Sequence, residues 1–150
     1  MKVNGFTLIE LIVVIVILSV LSVTAAPKVL GFQSDARKAT LKSIAAAIRS
    51  GSDIVHSKAV IDGVDGKQYV FLDDIYITNG YPTAHIENMK RAFSINNPDV
   101  YITNRGSDAD GREAFISFTK EQAWYGKCYV SYKDAVSAAT PVTTVVSDGC

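Results

Sequence analysis

The chain has 150 residues, with 15 basic and 15 acidic side chains and 48% apolar content, and its mean hydropathy is +0.17. That is long enough for one sizeable core and too apolar for a disordered chain. With no net charge and no basic run, the chain offers no field that would draw in nucleic acid or an acidic membrane surface, so no nucleic-acid partner is expected.

The apolar excess lies before Pro27. From Phe6 to Ala26 the only charge is Glu10, and Leu11–Leu18 is unbroken Leu, Ile and Val. As a helix these 21 residues would cover about 31 Å, enough to cross a bilayer core. Three readings stay open on these residues alone. A secretory signal would use Val23-Thr24-Ala25 as its cleavage site, but its n-region would hold only Lys2 and Glu10 would sit against its apolar core. A plain membrane anchor has a weak orienting charge in Lys2, which Lys28, Arg37 and Lys38 oppose. The third reading rests on a family resemblance carried by residues 5–10, which is given below.

Glu10 bears on the choice. An acid in a bilayer segment costs roughly 3 to more than 10 kcal/mol, so it needs a partner. Were the chain cut before Phe6, as the resemblance given below implies, the new amine would lie at i and i+4 to Glu10, on the same helix face and about 6 Å away along the axis. The same amine on a neighbouring helix could pair with it equally well and so set the axial register. Apolar helices alone specify no register, and a buried ion pair contributes more to register than to stability.

The string Gly5-Phe6-Thr7-Leu8-Ile9-Glu10 before an apolar run resembles the type IV pilin and pseudopilin family. The resemblance implies cleavage after Gly5 by a prepilin peptidase, N-methylation of Phe6, and Glu10 as the assembly-register residue. It further implies an inner-membrane precursor that the pilus machinery polymerises, as a helical homopolymer, into an extracellular fimbrium. Pro27 and Gly31 weaken the helix locally. The resemblance makes them the site where residues 19–31 melt or extend on assembly; a simple kink at the membrane edge is the other reading.

Beyond Gly31 the pattern is amphipathic. Leu41, Ile44, Ile48 and Val55 form one stripe, and the helix is expected over about residues 6–58. Strands are expected at Tyr69–Leu72 and Ile75–Thr78, a turn at Asn79–Pro82, and a short helix at Ala84–Phe93. Further strands are expected at Val100–Thr103, Ala114–Thr119, Lys127–Tyr132 and Thr143–Val146. The expected fold is α+β and pilin-like: a long N-terminal helix whose hydrophobic half protrudes and whose amphipathic half packs on a four-stranded antiparallel sheet. The division is a leader at 1–5, an assembly helix at 6–30 and a head at 31–150.

In a chain that crosses the membrane, the two cysteines, Cys128 and Cys150, read as one disulfide closing a loop of 23 residues. Gly80-Tyr81-Pro82, Cys128-Tyr129-Val130-Ser131-Tyr132 and the terminal Asp148-Gly149-Cys150 resemble the mannose-sensitive haemagglutinin pilins. That resemblance implies a surface patch between the cysteines, including Lys133, Asp134, Ser137 and Thr140, and attachment to surface or glycan ligands.

No Gly-x-Ser-x-Gly, phosphate loop or histidine-supported nucleophile occurs, so an enzyme is not expected, and no cofactor is implied. His56 and His85 read as surface or filling residues. Asp108-Ala109-Asp110-Gly111 has the opening of a calcium loop without the rest of the pattern, and a hairpin turn explains it; Asp108 and Asp110 are weak calcium candidates, and Asp73-Asp74 weaker ones. Trp124 and Tyr125 read as loop residues, with packing favoured over sugar stacking. The function expected is a major pilin, with a minor pilin or secretion pseudopilin as the variant on the same architecture. A membrane-anchored periplasmic binding module is the alternative of another class.

Overall fold

The computed structural model describes residues 6–107, 111–136 and 139–150, with residues 26–30 in backbone only. The chain forms two compact units, residues 1–36 and 37–150. Helix α1, Leu8–Ile61, supplies the regular structure of the first and the opening element of the second. It ends three residues beyond the expected 58, and the cap explains why. Gly63 takes φ +65, Val64 N donates to Ala59 O at 2.9 Å and Gly63 N to Val60 O at 3.1 Å. These two bonds form a Schellman closure, which satisfies carbonyls that would otherwise be orphaned.

In the second unit, Leu41, Ala45, Ile48, Ser52, Val55 and Ala59 are buried. Their alternating steps of four and three place them on one side of the helix. Ile44, expected on the stripe, lies at its edge and is only half-buried. Leu41, Ala45 and Ile48 pack with Met89, Phe93, Ala114, Ile116, Val130 and Tyr132. Val55 and Ala59 pack with Leu72 and Ile77 in a second cluster. Each large aliphatic side chain so buried contributes about 1.5–3 kcal/mol.

The strands form two antiparallel sheets. The first holds β1 (Val70–Leu72), β2 (Ile75–Thr78) and β3 (Tyr81–Pro82) in that order. The expected four-residue turn contracts to Asn79-Gly80, both at positive φ, so Tyr81 pairs with Thr78 and Pro82 with Ile77. Asn-Gly favours this tight hairpin. Gly80 is also required sterically, because a Cβ there would lie 2.6 Å from His56 Nδ1. Pro82 fits an edge strand, where its missing N–H costs no ladder bond.

The second sheet holds β4 (Tyr101–Ser107), β5 (Gly111–Ser117), β6 (Tyr129–Lys133) and β7 (Val142–Val146), in sequence order. The expected four-stranded antiparallel sheet is therefore present, packed on the amphipathic part of α1. β4 outruns its expected end because Arg105, Gly106 and Ser107 pair with Glu113, Arg112 and Gly111. Those residues carry no apolar alternation, so the strand is invisible to a hydrophobic pattern.

Helix α2, Ile86–Phe93, follows β3. Helix α3, Lys120–Trp124, was not expected; Thr119 caps it, its hydroxyl accepting from Gln122 N at 3.2 Å. Trp124 therefore closes a helix and is not in a loop. Against the packing reading, Trp124 is 44% and Tyr125 93% exposed.

Three buried polar side chains tie the layers together. Asn88 Oδ1 accepts from Tyr76 N at 2.7 Å, while its Nδ2 donates to Tyr76 O at 2.8 Å and to Thr83 O at 2.9 Å. The amide thus extends β2 sideways into α2. Tyr132 OH donates to Pro82 O at 2.7 Å, joining the two sheets. Asp134 accepts from Ala84 N, and from Arg112 N at 3.2 Å. This corrects the placing of Asp134 in the exposed patch: it is buried, and its carboxylate is turned inward onto backbone donors. Lys133 and Thr140 are exposed, and Ser137 lies outside the described residues.

Cys128 and Cys150 are joined by a disulfide, and Gly149 N donates to Lys127 O at 2.8 Å. The tail is thereby pinned beside the start of β6. Cys150→Ser is expected to lower the unfolding free energy of the full chain by about 3 kcal/mol, from the entropy of the opened loop. Denaturant titration in detergent measures this, and an unchanged midpoint would show that β6–β7 pairing alone holds the tail.

Burial, with Asp134 nearby, holds the Tyr132 phenol above its ordinary value of 10.0. Its stabilising contribution is complete below the unfolded value and is lost as pH rises through and beyond it, because only the unfolded chain ionises readily. Tyr132→Phe is therefore expected to flatten the decline of the denaturant midpoint between about pH 9 and pH 11. A variant with the wild-type slope would assign the decline to the other tyrosines.

Candidate assembly segment

The described part of the N-terminal segment opens with two non-helical residues, Phe6 and Thr7, before α1 starts at Leu8. Thr7 and Glu10 cap that start reciprocally. Thr7 N and Thr7 OH donate to Glu10 Oε2 at 2.9 and 2.7 Å, and Glu10 N donates to Thr7 Oγ1 at 3.3 Å. This is a capping box, and it satisfies amides that the first turn leaves open. The carboxylate also sits where the helix dipole favours an anion. Glu10 thus has a local partner as well as any it meets on assembly. The cue was legible, since Thr7-x-x-Glu10 precedes an apolar run; Thr119-x-x-Gln122 at α3 is the same cue.

Leu8–Ala25 follow, an 18-residue window of mean hydropathy 2.8 with none of it buried within the chain. At 1.5 Å per residue it covers about 27 Å, close to the hydrocarbon thickness of a bilayer. Its hydroxyls are returned to the helix: Ser19 Oγ donates to Ile15 O at 2.6 Å, Ser22 Oγ to Leu18 O at 2.7 Å and Thr24 Oγ1 to Leu21 O at 2.9 Å. What remains outward is apolar. Phe6, Ile9, Glu10, Val13 and Val14 line one shallow groove, so Phe6 and the acid share a face. Phe6 itself is 77% exposed.

Gly5 lies outside the described residues. Pro27 falls within the continuous helical assignment of α1, among residues described in backbone only. Gly31 is helical, and a Cβ there would meet nothing within 4 Å, so no packing contact in this chain demands glycine.

Of the other residues singled out, His56 stacks on Tyr81 with ring centroids 4.2 Å apart, and His85 takes the N-cap position of α2 without a side-chain capping bond. Asp73 and Asp74 form the β1–β2 turn at positive φ, and Asp73 pairs with Lys58. Asp108 and Asp110 lie outside the described residues. Among the described residues, no three or more His, Cys, Asp or Glu side chains converge as a metal would require.

No curated protein and no solved structure matches the chain. Residues 1–26 match the prokaryotic N-terminal methylation motif, and that match, lying over the capped apolar span, supports a type IV pilin-like prepilin.

Proposed function

We propose that the chain is the major structural subunit of a type IV pilus-like filament used in surface attachment. One observation carries the reading: the methylation motif of residues 1–26 coincides with an apolar span that none of the described residues buries. A span of that kind needs lipid or other copies of itself as its solvent.

In this reading residues 1–5 are a leader, removed by the prepilin peptidase after Gly5, and Phe6 becomes the methylated N-terminus. Residues 6–30 hold the subunit in the inner membrane and then form the filament core, and residues 31–150 form the head on the cell surface. The start of α1 at Leu8 supports the cleavage step, because the bond before Phe6 precedes the helix. The new amine then competes with Thr7 for Glu10. In the filament, the amine of a neighbouring copy fixes the axial step, and Pro27 and Gly31 let the helix extend.

The disulfide supports a pilin over a major pseudopilin. The Gly80-Tyr81-Pro82, Cys128–Tyr132 and Asp148–Cys150 strings support the mannose-sensitive haemagglutinin type. The chemistry is assembly; no reaction and no cofactor is assigned to the chain.

Mass spectrometry of the mature subunit is expected to find an N-methylated Phe6. An intact Met1, or a cut after Ala25, would replace the proposal with the anchored binding module or a secreted protein. Glu10→Val is expected to insert and be processed, yet to reduce filaments at least tenfold, since the register pair is lost. Normal piliation of that variant, counted by electron microscopy, would refute the register role while leaving the processing step standing.

A further inference from the structure

The small sheet breaks an ordinary rule of strand patterning. Leu72 and Ile77 of β1 and β2 point into the core, as the alternation requires. The opposite face should be polar, yet it carries Phe71 and Tyr76, directly paired across the strands. Their rings lie 3.7 Å apart by centroid, and they are 53% and 43% exposed.

These rings form one wall of a cleft of about 570 Å³, within the size range of small-ligand sites. Tyr69 joins them at φ +54. A bulky residue in the left-handed region is strained, and such strain gathers at ligand sites. The backing is rigid, because Asn88 locks α2 to β2 behind the rings.

Glu87, Arg91, Arg112 and His85 also line the cleft. Glu87 is engaged by Lys90 Nζ at 2.8 Å, and that cation holds its carboxyl below the usual value. Arg91 gives one N–H to Asp74 O at 3.3 Å; a guanidinium carries five. Glu87, Lys90 and Arg91 together leave one positive charge beside the aromatic faces.

We infer that this cleft is a binding site for a carboxylated saccharide. Ring C–H faces stack on Phe71 and Tyr76, the sugar carboxylate pairs with Arg91, and sugar hydroxyls donate to Glu87. A neutral sugar would offer Arg91 no charge-assisted acceptor. A single-stranded nucleic acid needs a cationic track along its backbone, and a chain of zero net charge without a basic run provides none.

The test is calorimetric titration of the full-length chain in neutral detergent with digalacturonate and sialyllactose. Digalacturonate dimethyl ester and oligothymidylate serve as contrasts. At least one carboxylated probe is expected to bind in the millimolar range or tighter. The methyl ester should bind about tenfold more weakly than digalacturonate, and Arg91→Gln should cost about tenfold through the lost charge-assisted bonds. Arg91→Lys should restore part of that loss, and Phe71→Ser should weaken both acidic and neutral sugars. Arg91 and Phe71 are exposed, so unchanged thermal melts are expected to accompany these losses. Absence of binding by both acidic sugars would overturn the site. So would equal binding of the ester, an unaffected Arg91→Gln, or tighter binding of oligothymidylate.

Discussion

The buried stripe of α1 from Leu41 to Ala59 sets what every other element of the head must do. It is a strip of small and branched side chains repeating every three or four residues, and it has no partner until strands are laid across it. Its first turns receive the four-stranded sheet and α2, while its last turns receive β1 and β2. Two clusters that share one helix cannot shift independently of it. The length of the stripe thus determines how much sheet the head can carry, and the glycine closure at Gly63 stops the helix where the second cluster ends.

Apolar packing alone would leave the two sheets free to slide over that stripe. Asn88, Tyr132 and Asp134 oppose this because each gives or takes hydrogen bonds across an element boundary from a buried position. A buried polar group left without its partner costs more than the bond contributes when made, so such contacts select one arrangement strongly. The disulfide adds a covalent tie at the end of the chain, where fraying would begin.

The apolar half of α1 follows the opposite logic. None of Leu8–Ala25 is buried by the described residues, and its hydroxyls are turned back on its own carbonyls. Such a surface is stable in lipid or against further copies and poorly placed in water. The capping box at Thr7 and Glu10 begins this helix cleanly and holds the acid in its first turn. It also leaves Phe6 outside the helix, on the face it shares with Glu10. A head that folds on one half of a helix and an uncovered span on the other suit a subunit whose remaining contacts are made with its own kind.

The local elements were legible because they rest on periodicity and turn chemistry. An apolar run with one acid, a three-four stripe and β-branched segments between Gly, Asn and Pro needed no tertiary information. Both threonine-capped helix starts were written as Thr-x-x-Glu and Thr-x-x-Gln and could have been read the same way. Other features depended on neighbours that sequence does not reveal. Tyr81–Pro82 became a strand because Asn79-Gly80 folded it back onto β2, and Arg105–Ser107 became one because β5 offered its edge. Asp134 moved from surface to interior because two distant backbone amides converged on it. Period and propensity act within a few residues and so are carried by the chain itself. The partner of a buried carboxylate, or the cleft that two aromatics share with an arginine, exists only once segments far apart in sequence have been brought together.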